Sequence, residues 1–200
     1  MNITKISPAV KTQGRYNVFV DGEFSFSLDE VQLVKLGLKK GNEIDETQLS
    51  ELKNESDFGK NYVRVVDLIS RRLRSERELR DYAFRKQWTR DNTERVIDRL
   101  RERGYLNDEK FAESFVRSRA NTRNFSAKRM KVELQKKGIQ PDIITKVLAE
   151  SDDYDEKTAL NNLIIKKQNK YDDERKLIAY LARQGFSYDA IKSAMNDQKD

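Results

Sequence analysis

RRLRSERELRDYAFRKQWTRDNTERVIDRLRERGYL, residues 71–106, decides the fold. Its spacing predicts a short helix, a tight corner and a second short helix. Ser75 followed three places on by Glu78 has the form of a capping box, in which two orphan N–H groups at a helix start find side-chain partners. Leu79, Tyr82, Ala83 and Phe84 make an apolar stripe, and Gln87-Trp88-Thr89 closes that helix and caps the next. Val96, Ile97 and Leu100 form the second stripe, which Gly104 stops as the residue just past the helix end.

Working outward, the same design returns twice. The pattern is an apolar residue, a second one four places on, a turn residue four further, and an apolar residue directly after it. Leu79, Ala83, Gln87 and Trp88 form the first copy; Met130, Leu134, Gly138 and Ile139 the second; Leu177, Leu181, Gly185 and Phe186 the third. Each copy runs on into an apolar pair: Val96-Ile97, Val147-Leu148 and Ala194-Met195. Self-similarity at offsets of 51 and 47 residues marks an array of one supersecondary unit.

The totals suit such an array. Hydrophobic residues make up 36% of the 200-residue chain and charged residues 37%, too little apolar material for one thick core but enough for thin helical layers. With no cysteine and no histidine, the chain lacks disulfides, thiolate nucleophiles and the usual zinc ligands. No catalytic constellation or cofactor motif is visible, so neither an enzyme nor a bound cofactor is expected. There is no run of membrane-spanning length and no signal-like start, which makes a soluble cytoplasmic monomer the expectation. The net charge of +6 is unevenly spread. Residues 1–58 carry 7 basic and 10 acidic groups, residues 59–150 carry 24 and 14, and residues 151–200 carry 9 and 10. The positive field therefore belongs to the first two repeats and favours a polyanionic or acidic partner.

Ahead of the repeats, residues 1–58 read as a small β-rich module. Ile3 to Val10 is a strand, with Pro8 favouring a sheet edge. Tyr16, Val18 and Val20, then Phe24, Phe26 and Leu28, alternate onto one face around Asp21-Gly22, a type I′ hairpin signal. Ser27 or Asp29 starts a short helix through Val31, Val34 and Leu36, ending at Gly37. Leu38 to Ile44 suggests another strand, and residues 46–54 a helix capped near Asp45. Asn54 to Gly59 reads as a polar joint before an opening helix at 60–73, with Val63, Val66, Leu68, Ile69 and Leu73 inward.

The fold class that follows is mainly α: three tandem three-helix repeats at 59–106, 107–150 and 151–200, in an elongated, curved array after the β-hairpin/α module. Asn107 caps a helix with Phe111, Ala112, Phe115 and Val116 inward, and residues 154–170 carry Ala159, Leu160, Leu163 and Ile164. Thr89, Ser126, Asp173 and Ser187 stand at N-cap positions, and Pro141 at a first helical position. Helices of roughly 15 residues are expected, each unit about 20 Å across.

Basic residues crowd two equivalent joints. Arg71, Arg72, Arg74, Arg77 and Arg80 lie between the first and second helices of repeat one; Arg117, Arg119, Arg123, Lys128, Arg129 and Lys131 lie at the same place in repeat two, with Lys136-Lys137 at its corner. Arginine forks match carboxylates and phosphates at two points, so these joints are the candidate partner surface. The alternative is that they pair with Glu76, Glu78, Asp81 and Glu133 and keep the array solvated. The acidic positions Asp152, Asp153, Asp155, Glu156 and Asp172 to Glu174 suit helix starts better than a metal site. Trp88, Tyr105 and Phe186, at repeat anchors, read as core rather than as base-stacking platforms.

At RSERELRDY (74–82), VIDRLRERGYLNDEKFAESFVRSR (96–119), VELQKKGI (132–139) and KLIAYLARQGFS (176–187), the chain resembles the RecX family of bacterial recombination regulators. GYLNDEKFAESFV is the most specific piece. The resemblance covers about 60–195, and the leading segment is similar to the N-terminal extension of longer members. It implies three three-helix repeats, binding in the helical groove of the RecA–DNA filament, and inhibition of RecA recombinase and ATPase activity in recombination and repair, without catalysis of its own. Gln87 departs from the glycine usual at such corners. The alternative function is direct binding of single- or double-stranded DNA independently of RecA, with steep salt dependence.

Overall fold

The computed structural model describes residues 1–10, 12–152, 154–171 and 173–197, leaving the Asn121 side chain aside. The chain divides into two units: residues 1–72 with 82–105, and residues 73–81 with those from 106 onward.

In the first unit, β1 (Ile3–Pro8), β2 (Arg15–Val20) and β3 (Glu23–Asp29) form an antiparallel sheet in that order, so Pro8 lies on an edge strand. Asp21 and Gly22 adopt φ of 48° and 91°, the paired positive values that a type I′ turn requires. Val18, Val20, Phe26 and Leu28 are buried as the alternation anticipates. Phe24 is not. Val18 pairs with Phe26 but Phe19 with Phe24, so Ser25 is an extra residue that turns Phe24 to the outer face, where it is 58% exposed and edge-on to Phe19.

Asp29, not Ser27, caps α1 (Glu30–Leu36), in a reciprocal box with Gln32. Val31 and Val34 face solvent, and Leu33 packs on the sheet instead. Leu38 to Ile44 forms no strand. It runs beside the chain start through Ile3 N to Asn42 O, Gly41 N to Ile3 O and Ile44 N to Met1 O, all at 2.8–2.9 Å.

The larger correction is α2, one unbroken helix from Glu46 to Arg71, capped by Asp45 with Gln48. Residues 54–59 are not a joint, because their polar groups are spent on packing. Ser56 Oγ donates to Ser27 O at 2.6 Å, and Gln32 Nε2 donates to Glu55 O at 2.6 Å. The Gln32 amide lies so close over Gly59 that a Cβ there would meet its Oε1 at 2.6 Å. Val65 is the buried apolar residue of the later half, whereas Val63 and Leu73 are exposed.

Against the middle of α2 packs α4 (Arg90–Glu102), capped by Thr89 and burying Val96, Ile97 and Leu100. Arg95 Nη2 reaches both Glu55 oxygens at 2.7 and 3.1 Å, with its guanidinium 4.6 Å from the Phe58 ring centre. Asn61 Nδ2 donates to Asn92 Oδ1 at 3.0 Å where both are buried. Trp88 stacks edge-on to Tyr82 at 5.7 Å; Phe84 and Tyr105, expected inside, are 84% and 51% exposed.

In the second unit, α5 (Asp108–Arg123), α6 (Ala127–Lys136) and α7 (Pro141–Glu150) close over Phe111, Ala112, Val116, Met130, Leu134, Ile139, Ile144 and Val147. Equivalently, α8 (Glu156–Lys167), α9 (Glu174–Arg183) and α10 (Tyr188–Asn196) close over Leu160, Leu163, Ile164, Leu177, Leu181, Phe186, Ile191, Ala194 and Met195. The second and third helices of the repeats run 9 to 13 residues, shorter than expected. No described helix is long and apolar enough to cross a membrane.

All three corners are built alike. Gln87, Gly138 and Gly185 have φ of 56°, 83° and 98°. Each donates its N–H to the carbonyl three residues back (Phe84, Gln135, Ala182) at 2.9 Å. The apolar residue after it donates five back, Trp88 to Ala83, Ile139 to Leu134 and Phe186 to Leu181, at 3.1–3.4 Å. This double bond with its hydrophobic contact is the Schellman closure, and it explains the spacing of the anchors. The left-handed residue turns the chain, and the next side chain drops onto the helix just left.

Successive repeats meet through one recurring joint. α3 (Glu76–Arg85) starts after Ser75 and α6 after Ser126, and both serines are fully buried. Each Oγ accepts from the N–H three residues on, Glu78 at 3.3 Å and Arg129 at 3.2 Å. Each O–H donates to a carbonyl of the following repeat's corner at 2.7 Å, Ser75 to Lys137 and Ser126 to Gln184. The next N–H, of Glu76 or Ala127, is taken by the acidic residue that opens the following repeat's first helix, Asp108 at 2.8 Å or Glu156 at 2.9 Å. The corners must then be glycine: a Cβ on Gly138 would stand 2.5 Å from Arg77 Cβ, and one on Gly185 2.5 Å from Ser126 Oγ.

Gly138→Ala and Gly185→Ala should therefore each cost about 2–4 kcal/mol, left-handed strain plus overlap. Gly104→Ala, whose Cβ would meet nothing within 4 Å, should cost only about 1–2 kcal/mol. Gln87→Gly should leave stability unchanged or raise it by up to about 1 kcal/mol. Urea melts of the four variants check the ranking. Ser126→Ala should cost about 1–3 kcal/mol, because it removes a cap and strands a buried carbonyl, and Ser126→Thr should recover part of that loss in the same assay.

Candidate functional site

The structure sorts the basic residues of the two joints into two groups. One group is engaged with the fold, between repeats or along its own helix. The Arg77 stem covers Gly138, and Lys137 Nζ pairs with Glu78 Oε1 at 2.6 Å. Arg129 lies 4.1 Å from the Phe125 ring centre and donates through Nη1 to Gln184 Oε1. Arg119 stacks on Phe115 at 4.9 Å, and Arg80 pairs with Glu76 at 3.0 Å. Arg74 is half-buried at the approach to α3. Of the pairings foreseen from sequence as the alternative, Arg80 with Glu76 and Lys137 with Glu78 are present in this group.

The other group points to water. Arg71, at the end of α2, holds an exposed bridge to Asp67 at 2.8 Å, and Arg72 follows it as the C-cap. Arg117 is exposed on α5. Arg123 ends that helix, and Lys128 and Lys131 stand on α6; all three are exposed, and among the described residues none has an ion-pair partner. Lys136 makes a loose 3.6 Å contact with Glu133. Such surface pairs contribute little and give way easily to another anion.

The turn between α5 and α6 presents the exposed charges of repeat two. Asn124, with φ 49°, ends α5 in the left-handed conformation, and buried Phe125 and Ser126 lead into α6. Tyr154 fastens this turn from below by donating its hydroxyl to Phe125 O at 3.2 Å, and its burial keeps the phenol well above its usual range. Arg123, Lys128 and Lys131 are thus carried on a braced turn.

The acidic residues take capping roles. Asp155 caps α8 and is held below the usual carboxylate range by hydrogen bonds from Thr158. Asp173 caps α9, while Glu174 pairs with Lys192 at 3.2 Å. Asp153 and Asp172 lie outside the described residues. No group of three acidic side chains among the described residues can hold a metal ion. Sequence reasoning missed Asp108 and Glu156, which cap helices of the preceding repeats. Their signal was an acidic residue at the same place in two copies, 48 residues apart.

Four family models match the chain in order. Residues 1–45 match the regulatory protein RecX N-terminal domain, 62–100 the first RecX three-helix domain, 107–148 the second and 163–195 the third. The chain is 34% identical over 201 residues to the regulatory protein RecX of Bacillus subtilis, covering 97% of this chain and 76% of that one. It is 30% identical over 206 residues to that of Listeria monocytogenes serotype 4a, covering 98% and 76%. Among solved structures, a crystal structure of regulatory protein RecX superposes with a TM-score of 0.79 at 25% identity over 98% of both chains. A RecX from Lactobacillus salivarius superposes with a TM-score of 0.62 at 30% identity, over 70% of this chain and 96% of that one. With its N-terminal module and three helical domains matched in order, the chain belongs to the RecX family of regulatory proteins.

Proposed function

We propose that the chain binds the RecA–DNA filament and restrains RecA, lowering its recombinase and ATPase activity without catalysing a reaction itself. The observation that carries this reading is the agreement with the RecX family: the N-terminal domain and three three-helix domains matched in order, and a solved RecX structure superposed over 98% of the chain. The array lies along the filament groove in the cytoplasm, touches neighbouring protomers, and blocks extension or strand exchange. Its contact residues are the exposed part of the basic set: Arg123, Lys128 and Lys131 lead on the second unit, which also carries Arg117 and Lys136, and Arg71 and Arg72 are those of the first unit. These cations meet acidic RecA surface or filament phosphate.

Reversing Arg123, Lys128 and Lys131 together to Glu tests the assignment, because their charged ends pair with no described residue and glutamate keeps the Lys128 Cβ that stands beside Gly185. Affinity for RecA-coated single-stranded DNA should fall roughly ten-fold or more, and relief of ATPase inhibition should follow it, while the melting temperature stays unchanged. Unaltered inhibition by the triple variant would remove the surface from consideration. Titrating bare DNA in parallel at physiological salt separates filament recognition from independent DNA binding, which predicts equal affinity for both tracks.

A further inference from the structure

The first unit contains a cavity of about 540 Å³ between the base of the β2–β3 sheet and the middle of α2. Arg15, Lys60 and Arg64 line it beside Asn17 and Ser27, with Asp29 as the sole carboxylate. We propose that this cavity binds a phosphate group, gripped between the Arg15 and Arg64 guanidinium groups.

Arg15 is aimed by its neighbours. Its Nε donates to Ser27 Oγ at 3.2 Å and its Nη2 to Ser27 O, the carbonyl that Ser56 also holds from α2. Two of its nitrogens are thereby anchored to the sheet. Among the described residues Nη1 has no hydrogen-bond partner. Burial pulls this guanidinium below its ordinary pKa and Arg64 adds to that, while Asp29 and, less strongly, Asp57 oppose it. A partly desolvated cation facing a second cation is unfavourable in isolation and is relieved by an anion between them. Asp29 cannot serve fully as that anion, because its Oδ1 is committed to capping α1 through Gln32 N at 2.8 Å.

The other two cations are loosely held. Arg64 makes one long bond, 3.4 Å, to Asn61 Oδ1, and Lys60 an exposed pair with Asp57 at 3.3 Å. Both can turn to a ligand at little cost. Two forked donors and an ammonium match a tetrahedral, multiply charged oxyanion better than a planar carboxylate. The volume admits a group as large as a nucleotide. The phosphate can come from a small phosphorylated compound or from a nucleic-acid backbone.

Calorimetric titration of the full chain with pyrophosphate, with ionic strength held by chloride, tests the site. Saturable one-to-one binding is expected, weakened at least five-fold in Arg64→Gln and unchanged in Lys39→Gln, a neutralisation of similar charge outside the cavity. Arg64 supports little packing, so the variant should fold; Arg15→Lys, which keeps charge but loses the fork, is the second variant and should also weaken binding. A labelled twelve-nucleotide thymidine strand then identifies the source. Displacement by pyrophosphate together with sensitivity to Arg64→Gln points to a strand backbone; a strand indifferent to both points to a small phosphorylated ligand. Absence of saturable pyrophosphate binding, or equal losses in Arg64→Gln and Lys39→Gln, overturns the proposal.

Discussion

A serine hydroxyl bonded in two directions is the constraint on which the rest of this architecture depends. Because an O–H both accepts and donates, Ser75 and Ser126 can finish their own helices and grip the next repeat with one buried atom. Capping and stacking are therefore a single event. Asp173 holds the equivalent position in the third copy, and an ionised carboxylate can only accept. It closes its own helix without reaching for a further corner. At the other end Gln87 occupies the corner where later copies need glycine, and only Gly138 and Gly185 have a preceding repeat's side chain pressed against them. Of the three copies, the second carries both the two-way serine and a glycine corner against which the preceding copy's side chain is pressed.

The repeats were legible because the corner imposes a local pattern: a left-handed residue followed at once by an apolar one. The helix caps at Thr89, Asn107, Ser126, Asp173 and Ser187 were legible for the same reason, since a cap and its N–H are two or three residues apart. The joints were not. Ser75 and Lys137 are 62 residues apart, and nothing near either announces the other. The unbroken α2 was hidden by a misleading local signal. Asn54 to Gly59 has the composition of a loop, yet Ser56 and Gly59 face the sheet, where small and polar groups allow close approach. Phe24 was misplaced by a bulge that period-two alternation cannot reveal.

The candidate surface was legible in outline only. Charge density marked the joints but could not divide cations that brace the fold from cations that face solvent. The division follows from contacts: Arg77 and Arg129 reach the following repeat's corner and Lys137 reaches back to Glu78, while the charged ends of Arg123, Lys128 and Lys131 have no ion-pair partner among the described residues. Positive charge here is partly architecture and partly display.

The uninterrupted α2 has a mechanical consequence. Its 26 residues make a rod about 39 Å long, with the sheet seated on it at Ser56 and Gly59 and α4 clamped to it by the Arg95–Glu55 fork and the Asn61–Asn92 bond. No hinge separates the two attachments, so a load on the sheet reaches α4 as torque instead of being absorbed by a linker. The leading module is a handle on the first bundle, not a bead on a string.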